Sequence, residues 1–162
     1  FLTMQTKSND PAEEQANSIH LEPVTRDNFM AVVRLEVAPD QRSYVATNAF
    51  SLAESKYFLE LKPWAIYAGQ ELVGFVMYGL DEESGQVWII RLMIAADQQG
   101  KGYGRAAMTQ ALVDIRQQYQ PADIYISFEP ENRTAERLYV SLGFEPTGRW
   151  DGSETVYRLK CG

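Results

Sequence analysis

The residues best suited to bind a ligand form a glycine-rich stretch, which reads Gln98-Gln99-Gly100-Lys101-Gly102-Tyr103-Gly104. The stretch lies between an apolar segment, typical of a buried strand, and a segment with helical spacing. Glycine permits positive φ and a close approach of the backbone to a ligand. Backbone N–H groups then converge at the start of the following helix, where the helix dipole favours an anion. The stretch therefore indicates a pyrophosphate site, with a simple strand-to-helix turn as the alternative.

Two well-known phosphate-binding loops do not fit this stretch. A P-loop has Ser or Thr directly after its Gly-Lys pair, and here Lys101 is followed by Gly102. A dinucleotide-binding fingerprint has a third glycine three residues after the second, and Arg105 stands at that position. Both classes of nucleotide-binding protein are therefore excluded on the motif itself.

A second stretch of interest begins at Asn132 and runs to Tyr139, followed by Leu142-Gly143-Phe144. Asn is a preferred residue at a helix N-terminus, so capping alone explains Asn132. Tyr139 follows about two helical turns later, so both side chains should project from the same helix face. Tyr139 also lies on an apolar stripe of that helix, which makes a buried structural tyrosine the alternative to a catalytic one.

The chain has few residues that could form a histidine-based or a cysteine-based catalytic or metal site. His20 is the single histidine and lies far from both motifs, which excludes a histidine-based triad. Cys161 is the single cysteine and stands next to the C-terminus, which excludes an intramolecular disulfide and a cysteine cluster for a metal. We expect no metal cofactor.

Composition and charge narrow the class of protein further. The chain has 162 residues, 45% hydrophobic and 23% charged, with a net charge of -7 and a pI near 4.8. An acidic chain of this kind argues against nucleic-acid binding, and its charge mildly favours cationic substrates. No apolar segment approaches a membrane span and no signal-peptide pattern is present, so we expect no membrane partner and a cytoplasmic location.

The elements that must position these residues follow from hydrophobic periodicity and turn signals. Residues 1–18 are polar and aperiodic, and we interpret them as a disordered leader or a cloning remnant, ahead of a single domain over residues 19–162. Strands are predicted at 19–24, 64–68, 71–78, 86–94, 123–128, 145–149 and 155–159. Helices are predicted at 27–36, from Ser51 with Glu54 completing a capping box, at 103–119 and at 133–142. This order predicts a mixed sheet with helices on its faces, an α/β or α+β fold.

The two motifs together resemble the GNAT superfamily of N-acyltransferases. Its acyl-CoA loop has the pattern Q/R-x-x-G-x-G/A, which Gln99 to Gly104 match, and the resemblance extends over roughly residues 19–159. The resemblance implies a mostly antiparallel, twisted sheet of six to seven strands flanked by about four helices. Within the superfamily, residues 40–46 and 73–79 resemble bacterial spermine/spermidine acetyltransferases.

The resemblance implies acetyl-CoA as cosubstrate and assigns roles by position. The backbone of Met93 and Ile94 would pair with the pantetheine arm, and Asn132 would donate a hydrogen bond to CoA. The pyrophosphate would be held by Gln99, Gly100, Lys101, Gly102, Tyr103 and Gly104. Tyr139 would protonate the departing thiolate. A backbone N–H of Met93 or Ile94 would stabilise negative charge on the carbonyl oxygen.

Direct attack of an amine on a thioester requires a neutral amine and therefore a base. Neutralising a lysine-like ammonium of pKa ~10.4 at pH 7 costs about 4.6 kcal/mol. Glu129 and Glu131, just after a predicted strand, are the candidate bases. Similar enzymes carry an acid near position 90, where this chain has Ile90-Arg91, so that role does not carry over.

The acceptor site should present carboxylates and aromatic faces if the substrate is a polyamine. Candidates for that site are Glu36, Tyr44, Tyr78 and Glu129, although each acid is also explained as an ordinary solvated side chain. A peptide amine or an aminoglycoside is the alternative acceptor, and a non-catalytic acyl-CoA-binding module is the alternative class. We keep a homodimer as a further hypothesis.

Overall fold

A seven-stranded sheet forms the middle layer of the protein in the computed structural model, which describes Pro11, Glu14 and residues 18–162. Its strands are β1 (Ile19–Pro23), β2 (Leu61–Ala68), β3 (Glu71–Leu80), β4 (Val87–Ile94), β5 (Asp123–Phe128), β6 (Glu145–Asp151) and β7 (Glu154–Lys160). They lie in the order β1-β2-β3-β4-β5-β7-β6. The predicted leader falls outside the described residues apart from Pro11, Glu14 and Ser18.

Helices cover both faces of this sheet. Among residues 18–162 they are α1 (Phe29–Arg34), α2 (Asn48–Tyr57), α3 (Tyr103–Tyr119) and α4 (Arg133–Ser141), with short 3-10 turns at Pro39–Gln41 and Ala96–Gln98. All neighbouring strands are antiparallel except β4 and β5. The predicted fold class, with its mostly antiparallel sheet and about four helices, is confirmed.

The core has two halves because successive side chains of a strand point to opposite faces of the sheet. On β3, Phe75 and Met77 pack with Val32 of α1 on one face. Val76 and Tyr78 pack on the other face, where α3 contributes its apolar stripe. The sheet is therefore covered by α1 and α2 on one side and by α3 and α4 on the other.

Several boundaries differ from the predicted ones. Helix α2 begins at Asn48 rather than at Ser51, because the Thr47 side chain accepts a hydrogen bond from the Phe50 amide at 3.2 Å and caps the helix earlier. Helix α1 ends at Arg34, since Leu35 already has an extended backbone, so Glu36 lies beyond it. Strand β2 begins at Leu61, three residues before the predicted start.

The feature that positions the site is a divergence of β4 from β5 in the middle of the sheet. These parallel strands pair only at Val87–Ile124, Trp88–Tyr125 and Ile89–Ile126. Beyond Ile89, β4 keeps its pairing with β3 on one side, and on the other side no strand of the described residues pairs with it. The last residues of β4 therefore present a backbone edge to an open space between the two halves of the sheet.

Candidate active site

Two cavities meet in the space between β4 and β5. The loop cavity, of about 340 Å³, is lined by the end of β4, the glycine stretch and the start of α4. The strand cavity, of about 180 Å³, is lined by the diverging parts of β4 and β5 and the start of β7. Both cavities share the residues Tyr44, Val45, Leu92, Asn132 and Tyr139. A ligand in one cavity would therefore reach a ligand in the other at these residues.

The glycine stretch gives the loop cavity an open wall of backbone. Gly100 and Gly102 have φ of +76° and +82°, in the left-handed region that other residues rarely adopt. A Cβ placed on either would meet no atom within 4 Å, so packing against protein does not explain these glycines. Gly102 is also the N-cap residue of α3, whose first N–H groups face the loop. This geometry is suited to an anion held by backbone N–H groups.

Side chains of the same stretch hold the loop in place. Gln99 donates through Nε2 to the Ile94 carbonyl at 2.9 Å and to Gln41 Oε1 at 2.8 Å, which joins the loop to β4. Lys101 donates through Nζ to Gln98 Oε1 at 3.1 Å. Gln99, Gly100, Gly102, Tyr103 and Gly104 line the loop cavity, whereas Lys101 does not. Lys101 is therefore the one residue of the predicted set whose contact with the ligand this geometry does not support.

Along the end of β4, the backbone N–H and C=O groups of successive residues point alternately to the open edge and to β3. The Met93 carbonyl faces β3, because a Cβ on Gly74 would lie 2.4 Å from it. The Ala95 amide likewise donates to the Val73 carbonyl of β3. In an antiparallel pair the two backbone groups of one residue point the same way and neighbours alternate, so Leu92 and Ile94 face the open edge. Of the two residues predicted to pair with the pantetheine arm, Ile94 therefore faces the open edge and Met93 faces β3, and the pairing itself stays a prediction.

Tyr139 stands where the two cavities join. It is 7% exposed, and its ring packs at centroid distances of 5.4 Å from Phe128 and 6.0 Å from Phe144. Burial, followed by the nearby charge of Glu154, raises the pKa of Tyr139 above the usual tyrosine range. A tyrosine hydroxyl is protonated at neutral pH even without this shift, so Tyr139 presents a neutral hydroxyl whose acidity burial lowers. The structure places Tyr139 in the core and at the site together.

Asn132 begins α4 beside this tyrosine and lines both cavities. Its Oδ1 accepts a hydrogen bond from the Ala135 amide at 3.3 Å, so the predicted capping role is confirmed. Capping uses the side-chain oxygen and leaves the amide nitrogen for another partner. The predicted contact with a cofactor remains compatible with the cap.

The strand cavity combines one cation with a carboxylate. Arg91 Nη2 lies 3.4 Å from Glu54 Oε1 and its Nη1 donates to the Ile90 carbonyl, so the cation is held against α2. Glu154 receives a weak hydrogen bond from Ser127 Oγ at 3.5 Å. Burial, then the neighbouring charges of Glu129 and Asp151, raise the pKa of Glu154, and Arg91 and Ser127 offset part of that rise. The carboxylate is therefore a stronger proton acceptor than an ordinary glutamate.

Three predicted acceptor-site residues lie outside both cavities. Tyr78 is fully buried in the half of the core that α3 covers, where burial, then the charges of Asp114 and Tyr119, raise its pKa. It lies opposite Ile89, which lines the strand cavity, but Tyr78 itself lines neither cavity, so its substrate contact stays a prediction that this geometry does not support. Glu36 is exposed and paired with Arg42 at 3.2 Å, and its predicted cavity position is not found.

Glu129 lies at the rim rather than on a cavity wall. Its Oε1 accepts a hydrogen bond from Ser153 Oγ at 2.6 Å, in the turn between β6 and β7. Glu131, the other candidate base, is exposed and lines neither cavity. Of the predicted acceptor-side residues only Tyr44 lines a cavity.

Sequence reasoning missed the residues that complete the strand cavity, namely Val45, Leu92, Ser127 and Glu154. Glu154 is distant in sequence from both motifs and reaches the site because β7 pairs with β5, with Ser127 opposite Val156. Local periodicity does not determine the order of strands in a sheet. The one available signal was an acid at the start of the last predicted strand.

The structure also bears on metal binding and on membrane insertion. Within the described part of the chain, no group of three or more His, Cys, Asp or Glu side chains is arranged to hold a metal ion. No helix in that part combines the length and the apolar character that crossing a membrane requires.

An open strand edge, a glycine loop at a helix N-terminus and two cavities joined at a protonated tyrosine define a group-transfer enzyme. Such a site holds a phosphate-bearing donor on one side and an acceptor on the other. The sequence profile of the Acetyltransferase (GNAT) family matches residues 31–144. The chain belongs to this family and is an N-acetyltransferase.

Curated relatives agree with this assignment. The chain is 35% identical over 140 residues to a probable spermine N(1)-acetyltransferase of Bacillus subtilis subsp. natto (strain BEST195), covering 83% of this chain and 92% of that protein. It has the same identity and coverage with the spermine/spermidine N(1)-acetyltransferase of Bacillus subtilis (strain 168).

Solved structures share the fold. The spermidine N-acetyltransferase from Vibrio cholerae, in complex with CoA and spermine, superposes with a TM-score of 0.69 at 20% identity, covering 88% of this chain and 94% of that one. The PaiA N-acetyltransferase from Thermoplasma acidophilum, in complex with coenzyme A, superposes with a TM-score of 0.67 at 14% identity, covering 89% and 99%.

Proposed function

We propose that this protein transfers the acetyl group of acetyl-CoA to a primary amine of a polyamine such as spermidine or spermine. The proposed acceptor rests on the 35% identity, over most of both chains, to enzymes named for spermine and spermidine. The cosubstrate is supported by structural neighbours that contain CoA, two of which are described above. The acidic net charge of -7 agrees with a cationic acceptor.

The loop cavity fits CoA in both of its chemical parts. The pyrophosphate would lie over Gly100 and Gly102 at the start of α3, where the positive φ values leave the N–H groups accessible. The pantetheine arm carries amide groups that suit a strand edge, and Leu92 and Ile94 of β4 would bind it there. When bound, this cosubstrate supplies an activated acyl group as a thioester.

Tyr139 would act on the leaving sulfur. Tyr139 is one of the residues shared by the two cavities, as is Leu92 on the open strand edge. The leaving thiolate, with a pKa of ~8.5 by analogy with cysteine, gains from a proton donor. A backbone N–H from the open edge of β4, at Leu92 or Ile94, would stabilise negative charge on the carbonyl oxygen.

The strand cavity would receive the amine. It meets the loop cavity at Tyr139 and ends near Glu154, Glu129 and Asp151, which favour a cationic chain. Arg91 would oppose that chain, but Glu54 lies 3.4 Å from it and offsets its charge. A peptide amine or an aminoglycoside remains the alternative acceptor, and a homodimer stays a hypothesis.

A turnover screen tests the proposal directly. Purified protein with acetyl-CoA would be offered spermine, spermidine, aminoglycosides and a peptide panel, with free thiol release as the readout and product mass as the check. We expect the highest kcat/KM with the polyamines. A preference for peptides or aminoglycosides would refute the acceptor alone. CoA binding by calorimetry without thiol release from any amine would identify a binding module instead.

A further inference from the structure

Glu154 is the carboxylate on the wall of the strand cavity. It is half-buried at the start of β7, and the same cavity is lined by Tyr139 of α4 and Ser127 of β5. Tyr139 is near enough to Glu154 for the carboxylate charge to act on the phenol. A proton donor and a proton acceptor therefore face one space, in which the amine and the acyl carbon would meet.

We propose that Glu154 is the base that removes a proton from the acceptor ammonium. This inference rests on the proposed acetyl transfer and supplies the residue that it needs. The ammonium N–H bond breaks, an O–H bond forms on the carboxylate, and the nitrogen lone pair is released to form the new N–C bond. The C–S bond then breaks and the sulfur takes a proton from Tyr139. The second nitrogen proton returns through solvent to Tyr139, and the first leaves Glu154 for bulk water.

The surroundings of Glu154 suit this role. The charged and titratable groups that face it are Arg91 of β4, Glu129 after β5, Tyr139 of α4 and Asp151 of β6. The two carboxylates make proton uptake more favourable, and partial burial acts in the same direction. Glu129, the rival base, has its carboxylate engaged by Ser153 and lies outside both cavities.

A glutamate retained for stability should stabilise the fold when it is charged, and the raised pKa of Glu154 indicates the opposite effect. Its pKa is raised in the folded protein, so folding favours the protonated form. The associated stability is present at acid pH and decreases as pH rises from the unfolded value through the folded value. Where the carboxylate is charged, it therefore destabilises the fold relative to a glutamate of ordinary pKa. Removing its charge should raise the Tm while activity falls.

The test compares Glu154→Gln with two other variants, using the amine that the parent turns over best. We expect Glu154→Gln to lower kcat/KM by about 10²–10⁴-fold, the range for a lost general base, with CoA affinity unchanged and Tm unchanged or higher at pH 7. Glu145→Gln is the matched control. Glu145 is exposed at the start of β6, whereas Glu154 pairs with Asp151 at the end of that strand, so this variant should keep full activity. Glu129→Gln measures the rival and should change kcat/KM only a few-fold.

Two further readouts separate a base from a structural residue. The parent kcat/KM should rise with pH on an acid limb that Glu154→Gln lacks. The defect should also shrink with an acceptor amine that electron-withdrawing groups make neutral at pH 7, because no proton then needs removal. If Glu154→Gln unfolds, Glu154→Asp, which keeps a displaced carboxylate, should retain the acid limb with reduced turnover.

Full activity in Glu154→Gln, a defect that ignores pH and amine basicity, or a larger loss in Glu129→Gln would each overturn the assignment. These outcomes leave the proposed function standing, because the parent remains an active acetyltransferase. A parent that acetylates no amine would refute the proposed function, and the role of Glu154 would fall with it.

Discussion

At the scale of single residues, Tyr139 has two roles that local structure makes compatible. Its ring packs in the core against Phe128 and Phe144, and the residue also lines both cavities where they join. Burial is the main reason that its pKa is raised, and Glu154 adds to the rise. The same packing that stabilises α4 therefore holds a neutral phenol beside the proposed leaving group.

Replacing Tyr139 with Phe separates these roles because it keeps the ring and deletes the hydroxyl. We expect kcat to fall by about 10²–10⁴-fold, the range for a lost general acid, while CoA affinity and Tm change little. Steady-state kinetics with calorimetry and thermal unfolding would measure the three quantities. An acyl donor whose thiol is more acidic should narrow the gap, since it needs less protonation. Undiminished turnover in Tyr139→Phe would leave the residue with packing alone.

The contrast between Tyr139 and Glu154 explains how far the site could be predicted. Tyr139 belongs to a motif whose two polar ends lie on one helix, so helical spacing alone brings Asn132 and Tyr139 together. Glu154 reaches the same cavity through the β5–β7 pairing, which joins segments separated by a helix and a strand. Tyr78 lies in the core rather than on a cavity wall, because its sheet face follows from the strand's neighbours.

At the scale of elements, the divergence of β4 from β5 creates the binding space. Periodicity predicted both strands and the helix between them, and it predicted the two hairpins at Gly69 and Gly152. It carried no information that pairing would stop at Ile89, because apart from Arg91 the strand is apolar on both sides of that point. The open edge of β4 is thus a property of three-dimensional pairing, and the glycine stretch is the local sequence feature that indicates it.

The glycine loop is tested by Gly102→Val with Gly85→Val as its matched control. Both glycines have positive φ, +82° and +70°, and a Cβ on either meets nothing within 4 Å. Each substitution should therefore cost a similar ~1–3 kcal/mol of backbone strain. Only Gly102 lies at the N-terminus of α3, so only Gly102→Val should weaken CoA binding, by at least tenfold in calorimetry. Equal CoA affinities in the two variants would argue against the loop assignment.

At the scale of the whole molecule, charge is arranged to suit a cationic acceptor. The chain carries 22 acidic and 15 basic residues, and Glu129, Asp151 and Glu154 come together beside the strand cavity. The Arg91–Glu54 pair is about one-fifth exposed, so its cation is partly shielded and locally offset. A polycation entering the strand cavity would meet a surplus of negative charge, which lowers its binding free energy through long-range attraction.

Ionic strength should therefore act on KM for the polyamine more than on kcat. The Debye length shortens from about 10 Å at 0.1 M salt to about 3 Å at 1 M, so attraction between spermine and the acidic rim is progressively screened. We expect KM for spermine to rise several-fold over this range. A monoamine of similar length with a neutral tail should respond less, because it carries one cationic group. Since proton transfer at the junction of the cavities occurs among partly buried groups, kcat should change little for either amine. Matched initial-rate series in a chloride salt, with CoA affinity followed separately, would measure this difference. Equal salt responses for the two amines would mean that the acidic rim does not recognise the polyamine chain, even if acetyl transfer itself proceeds.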